Sequence, residues 1–313
     1  MKTAVLGANP AWQKTLVFEK FFCGTVNRAV TADEFASGKG VNFCRACEIH
    51  GSSTPVLLQF AGGDNGKKLV SMLDKLNIQH QTSITKNPTR CCITLLNRMD
   101  NSTTECIEPS FAASQEEADK LLAMAEKIMP ECAIAAVCGT LPGDTDKSVY
   151  TKFAAIAAEN NVPLLLDACK GIDGIFSTGC TVDLKVNKEE LLNLTSQNSV
   201  ENAMRYLFSN YSSLRTAAVT DGADKAFASD GRKLVSYQLP EIKDIVSTLG
   251  CGDTASAVYS SCLAEGLSFD IAFKKALAAA SANCLSSTCG IYVPADAEKI
   301  ENLISMTERA LLS

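Results

Sequence analysis

Histidine is nearly missing from this chain: it has His50, His80 and no other. An enzyme that pairs a Ser or Cys nucleophile with histidine needs an imidazole held in place by a third group. His50 precedes Gly51 at an expected helix end, and His80 stands between Gln79 and Gln81, so neither reads as a general base. Excess positive charge is missing too. With 29 Lys and Arg against 35 Asp and Glu, the formal charge is −6. Phosphate backbones and anionic lipids call for a basic surface, so no nucleic acid and no membrane is expected as main partner. No apolar run approaches the roughly 18 residues of a membrane span. The first ten residues hold few apolar side chains before Gly7, so no secretion signal is expected there and a cytoplasmic location is. Repeats, linkers and low-complexity tracts are also absent.

Cysteine, by contrast, is abundant, with 14 in 313 residues. In a reducing compartment these are expected as thiols. Cys44-Arg-Ala-Cys47 has the spacing of half a zinc site, but the chain offers no second such pair and only two histidines to complete a tetrahedron. Both cysteines are read as small apolar helix residues. Hydrophobic residues make up 46% and charged residues 20%, which describes a globular chain that builds a core without staples. Its length allows two domains or one large α/β domain with an appendage.

The hydrophobic pattern alternates short buried strands with helices. Strands are expected at Lys2–Gly7, Pro55–Phe60, Ala133–Cys138, Val162–Asp167, Thr181–Val186 and Thr216–Thr220. Helices are expected at Val41–His50, Gly66–Leu76, Gln115–Met129, Lys147–Asn160, Glu189–Leu194 and Val200–Ser209, with Thr254–Gly266, Phe269–Ser287 and Ala295–Leu312 closing the chain. Apolar strands of this length between helices imply an α/β fold with a mostly parallel sheet covered on both faces. Lys14–Glu34 and Arg90–Glu108 break the rhythm with alternating β-type residues, the second as a hairpin turning near Asp100-Asn101. The expected division is a core of 1–12, 37–87 and 110–313 with a small β-sheet lid of 13–36 and 88–109.

Three segments carry candidate chemistry. Ser247-Thr-Leu-Gly-Cys-Gly-Asp-Thr254 runs straight into a helix. Gly250 and Gly252 permit a tight turn, and N–H groups at a helix start make an anion hole. Asp253 in such a turn repels a bound phosphate, which makes sense for a base facing an attacking hydroxyl; an ordinary helix cap explains it as well. Ser37-Gly-Lys-Gly-Val-Asn42 also enters a helix, with Gly38 and Gly40 for close approach, Lys39 as a point charge and Asn42 as an amide. It is no P-loop, since Asp33 stands where the first glycine belongs. Asn187 and Glu190, three apart at a strand end, suit water-mediated Mg²⁺ and phosphate contacts or a helix cap.

Together with Asn9-Pro-Ala11, Gly62-Gly-Asp64, Gly139-Thr-Leu-Pro-Gly143, Thr220-Asp-Gly222 and Ala282-Asn283, these segments resemble, in order along nearly the whole chain, the ribokinase-like (PfkB-type) carbohydrate kinases. Val26-Asn-Arg28 and Thr89-Arg90 resemble the branch of 1-phosphofructokinases and tagatose-6-phosphate kinases. The resemblance implies that ATP and Mg²⁺ serve a sugar-phosphate kinase acting on a ketohexose phosphate such as fructose 1-phosphate or tagatose 6-phosphate. Asp253 would be the base, and Gly250, Cys251 and Gly252 would supply N–H groups to the migrating phosphoryl. Gln13, Gly38, Lys39, Gly40 and Asn42 would bind the sugar, with Lys39, Arg90 and Arg28 on its phosphate. Lys185, Asn187, Thr220, Gly222 and Asn283 would serve ATP, and Glu190 with Asn187 the metal through water. The lid would exclude water, and its exposed strand edges would suit a homodimer, as in relatives. Gln13 replaces the family's usual Asp, Ser37 a glycine and Cys251 an alanine. These departures leave open a kinase of an unphosphorylated sugar or nucleoside, or a non-catalytic sugar- or nucleotide-sensing member of the fold.

Overall fold

In the computed structural model, residues 1–311 are described. The first half runs β1 (Lys2–Leu6), β2 (Ala11–Phe18), β3 (Thr31–Ser37), α1 (Lys39–His50), β4 (Thr54–Gly62), α2 (Gly63–Lys75), β5 (Gln79–Thr85), β6 (Cys91–Asn97), β7 (Ser102–Ile107), α3 (Gln115–Ile128) and β8 (Cys132–Cys138). The second half adds α4 (Ser148–Glu159), β9 (Leu164–Asp167), β10 (Val182–Asn187), α5 (Lys188–Thr195), α6 (Val200–Asn210) and β11 (Leu214–Asp221). It ends with β12 (Lys225–Ser229), β13 (Lys233–Gln238), α7 (Cys251–Ala264), α8 (Phe269–Asn283), α9 (Pro294–Leu303) and β14 (Ser305–Ala310).

Ten strands form one sheet in the order β14-β13-β12-β11-β10-β9-β8-β1-β4-β5. From β11 to β5 every neighbour is parallel, while β12, β13 and β14 add on antiparallel. The α/β class is therefore as expected. Leu164-Leu-Leu166 and Ile134–Val137 are wholly buried because helices cover both faces of the sheet. One apolar cluster gathers β8, β9 and β10 with α3, α4 and α6; the other gathers α1, α7 and α8. Cys44 and Cys47 lie inside the second. From β1 the chain proceeds to β4 and β5 on one side and later to β8 through β11 on the other. The order thus reverses beside β1, and a parallel sheet opens a crevice at the carboxyl ends of its strands at such a point.

A second sheet has the order β3-β2-β6-β7. β2 pairs antiparallel with β3 and parallel with β6, and β6–β7 is the expected hairpin, with Asn101 taking a left-handed φ of 56° at its turn.

The chain end departs from expectation. The segment read as one helix, Ala295–Leu312, stops at Leu303, and Ser305–Ala310 becomes edge strand β14 on β13. The open edge of β13 supplies backbone partners, and tertiary pairing overrides weak helix propensity. Leu312 lies outside the described residues. α8 likewise stops at Asn283 rather than Ser287. Strands β5, β12 and β13 gave no apolar signal strong enough to be expected: β5, Gln-His-Gln-Thr-Ser-Ile-Thr, is a polar sheet edge. No helix among the described residues is long and apolar enough to cross a membrane.

Candidate active site

A cleft of about 710 Å³ opens at the reversal point. It is lined by strand-end residues Gly7, Gly139, Ala168 and Asn187 and by Lys39, Arg90 and Glu190. Beside it the N-terminal ends of α1 and α7 meet.

Glycines set the position of these two helices. Gly40 abuts β1 so closely that a Cβ there would lie 2.5 Å from the Cα of Gly7. Gly250 takes φ 79°, and a Cβ on it would lie 2.6 Å from the Cβ of Cys289. Only glycine fits either place. Gly38, at φ 116°, would press a Cβ to 2.9 Å from the Cα of Pro10. The glycines expected to approach the sugar therefore seat α1 on the sheet.

That packing brings four charged side chains together. Asp167, at the end of β9 and 3% exposed, accepts from Lys39 Nζ at 3.0 Å and from Ser256 Oγ at 2.5 Å, with Lys185 Nζ at 3.8 Å. Lys185 also donates to the carbonyl of Gly252 at 3.0 Å, tying β10 to the glycine turn. Asp253 is 8% exposed and accepts from Asn42 Nδ2 at 2.8 Å. Burial, reinforced by the nearby Asp167 charge, pushes the Asp253 carboxyl up to about 6. Burial acts the same way on Asp167, but Lys185, Lys39 and the Ser256 hydroxyl outweigh it and hold that carboxyl below its ordinary value. For Lys39, burial would lower the ammonium, yet Asp167 and Asp253 raise it overall. Two neighbouring carboxylates are thus driven apart, one kept ionised and one poised to take a proton. The first-turn N–H groups of α7, from Cys251 to Asp253, have no acceptor inside the helix and sit beside this carboxyl.

Asn187 and Glu190 form a reciprocal cap at the start of α5: Asn187 Oδ1 accepts from the Glu190 N–H at 2.8 Å, and Glu190 Oε2 from the Asn187 N–H at 2.9 Å. Both line the cleft. Thr220 pairs with Asn187 across β10 and β11, and Gly222 follows in a left-handed turn at φ 70°. Arg90 lines the cleft from the start of β6, with Nη2 donating to the carbonyl of Asn9 at 3.3 Å. Its Nε is buried and lacks a hydrogen-bond partner among the described residues.

Of the expected site residues, Lys39, Gly40, Arg90, Asn187 and Glu190 line the cleft, and Asp253, Asn42 and Lys185 stand beside it, joined to it through the α1 and α7 ends. Asn283, Gln13 and Arg28 stand elsewhere than expected. Asn283, read as lining a nucleotide pocket, has no exposed surface. Its Oδ1 accepts from Thr254 Oγ1 at 2.7 Å and from the Gly290 N–H at 2.9 Å, and its amide reaches the Leu249 carbonyl at 3.4 Å. It braces the glycine turn from behind. Gln13 does not line the cleft; its amide donates to Thr94 Oγ1 at 2.8 Å within the small sheet. Arg28 is exposed in the β2–β3 connection, away from the cleft walls. Asp167 and Ser256 were missed as site residues. The carboxylate closing the apolar run Val162–Leu166 was the available signal, since a charge at the end of a fully buried strand needs partners.

His50 and His80 do not line the cleft. The family model for pfkB family carbohydrate kinases matches residues 14–296. The chain belongs to that family. A tagatose-6-phosphate kinase of Staphylococcus epidermidis is 25% identical over 292 residues, spanning 91% of this chain and 93% of that protein. Among solved structures, phosphofructokinase-2 from Escherichia coli in complex with potassium superposes with a TM-score of 0.88 at 21% identity, over 96% of this chain and 98% of that one. The same enzyme in complex with fructose-6-phosphate gives 0.86 at 21% identity, over the same shares. At that identity the structural likeness speaks for the ribokinase-like fold. Membership makes the chain a carbohydrate kinase.

Proposed function

We propose that this pfkB kinase transfers the γ-phosphoryl of ATP to a hydroxyl of a ketohexose phosphate, with Asp253 as base. The observation that carries the sugar-phosphate reading is Arg90: an arginine on the cleft wall, anchored by Nη2 to the Asn9 carbonyl at 3.3 Å and paired with no carboxylate among the described residues. In an acidic protein a dianionic group needs such a local cation.

The geometry supports the following division of labour. Asn42 orients the Asp253 carboxylate, which takes the proton of the attacking hydroxyl. The N–H groups at the start of α7 meet the migrating phosphoryl at the positive end of the helix. Lys39 and Lys185 balance Asp167 and Asp253, so the ionised base is tolerated without a free cation capturing it. Gly222 and Thr220, at the end of β11, continue the floor toward the nucleotide. The donor set suits Mg²⁺: Glu190 keeps Oε1 outside the cap while Asn187 holds the carboxylate in place. Magnesium retains several waters and binds through few carboxylates. When bound, it neutralises charge on the ATP phosphates. The small sheet, 13–36 with 88–109, serves as a lid over this core. β7 is exposed along its whole length, and a homodimer through the lid would cover such an edge.

ADP release with a panel of ketohexose phosphates and the matching free sugars tests the reading. Turnover with ketohexose phosphates and little with free sugars is expected. Preference for a free sugar or nucleoside would overturn it.

A further inference from the structure

The glycine turn carries a thiol, and that thiol has a partner. Cys251, the first residue of α7, places its Sγ 3.3 Å from the Sγ of Cys284, which directly follows α8. Among the described residues this is the one thiol–thiol hydrogen bond. Both residues are half-buried, whereas Cys44, Cys47, Cys138, Cys180 and Cys262 are closed off in the core. A disulfide bond measures about 2.05 Å, so the sulfurs need to close only about 1.3 Å. The hydrogen bond between them lets the pair give up its first proton below the ordinary thiol range and holds the second well above it.

We propose that Cys251 and Cys284 form an oxidation site, at which a hydroperoxide converts the two thiols to a disulfide that stops phosphoryl transfer. The thiolate attacks the peroxide; its O–O bond breaks, alcohol or water leaves, and the sulfur becomes a sulfenic acid. The second thiol attacks that sulfur, the S–S bond forms and water departs. Two thiols lose two electrons in total, and the peroxide gains them.

The turn has little freedom to absorb the movement. Gly250 already touches Cys289, and the Gly252 carbonyl is held by Lys185. The Cys284 carbonyl accepts from the N–H groups of Val246 and Ser247 at 2.8 and 3.2 Å, so displacing Cys284 also drags the segment leading into the turn. The N–H groups that would meet the phosphoryl then lose their aim relative to Asp253. The loss of catalysis rests on the function proposed above; formation of the disulfide does not.

The test treats the full chain with hydrogen peroxide, blocks remaining thiols with an alkylating agent, and maps cross-linked peptides by mass spectrometry alongside kinase assays. The expected result is a Cys251–Cys284 cross-link with a loss of activity of about 10²-fold, comparable to losing one oxyanion-hole donor, restored by dithiothreitol. Cys284→Ala keeps the backbone carbonyl and should retain most of its own untreated activity at the same dose. A cross-link from Cys251 to Cys289, or none, overturns the pairing. A Cys251–Cys284 cross-link in a fully active enzyme overturns the switch. If the untreated protein phosphorylates no sugar phosphate, the functional reading fails, and the peptide map still decides the pairing.

Discussion

The cleft has two sides built on opposite plans. Beside it at the strand ends, Asp167 pairs with Lys39 and Lys185 and accepts from Ser256, while Asn42 donates to Asp253. On the side of the small sheet, Arg90 keeps a donor unpartnered, and Gln13 bonds to its own sheet rather than toward the cleft. One side is closed on itself; the other lines the cleft with a cation that no carboxylate among the described residues pairs. Chemistry that must be aimed before substrate arrives suits the first plan, and recognition that varies among sugars suits the second.

The largest effect should come from the complete side. Asp253→Asn preserves shape and the Asn42 contact but removes the base, so kcat should fall by roughly 10²–10⁴-fold, while ATP affinity holds or improves. More than about a tenth of wild-type kcat, a loss well short of that range, would leave Asp253 as a buried partner of Asn42 and no base. The same residue sets a pH limit. With its carboxyl at about 6, activity should rise with pH through that value and fall below it. The stability sign is opposite. A carboxyl raised from 3.8 to about 6 by burial favours the folded state at low pH, and that contribution is lost as pH rises through the window. Each unit is worth about 1.4 kcal/mol. Thermal melts should therefore show Asp253→Asn stabilised relative to wild type at pH 8 and not at pH 4.

Asp167 comes next. Asp167→Asn leaves two lysines without their carboxylate, a loss of about 3–5 kcal/mol for a broken buried pair, and shifts the groups around the base, lowering kcat by up to about 10²-fold. Removing its negative charge should also move the acid limb of the pH–rate profile to lower pH, because that charge helps raise Asp253. A drop in rate with an unmoved limb would reduce Asp167 to a packing role.

How far these residues were legible depends on which kind of signal they leave. Asp253, Asn42, Lys185 and Glu190 sit in glycine-flanked or strand-end segments whose local spacing is distinctive, and the structure brings them to one place. Asp167 leaves only a carboxylate after an apolar run, because its partners are up to 128 residues away along the chain. Asn283 misleads for the complementary reason: its nucleotide role was implied by resemblance, and a resemblance of Ala282-Asn283 says nothing of which side of the turn the side chain braces. The parallel strands announce themselves by being apolar throughout. β5 and β14 do not, since an edge strand draws its stability from a neighbour's backbone and is free to be polar.

On the open side, Arg90→Ala should raise KM for a ketohexose phosphate roughly 10–100-fold, as expected for a charge-assisted hydrogen bond of about 1.5–3 kcal/mol, and leave KM for ATP unchanged. An equal rise in both would place Arg90 in the general architecture of the cleft.

The smallest effect is expected at Gln13. Its amide donates to Thr94 Oγ1 at 2.8 Å and to the Lys14 carbonyl at 3.3 Å, and no atom of it lines the cleft. An aspartate there gives up both donations, but the Thr94 hydroxyl turns to donate instead, and the half-buried position lets water serve the Lys14 carbonyl. Nothing in that exchange reaches the sugar, so Gln13→Asp should change kcat/KM by no more than about twofold for any substrate, the range of ordinary surface substitutions. A rise confined to ketohexose phosphates would mean something more specific. A carboxylate accepts hydrogen bonds from sugar hydroxyls more strongly than an amide does, and it gains nothing unless it meets them. Such a rise therefore requires the lid, as it closes during the catalytic cycle, to carry position 13 over the bound sugar.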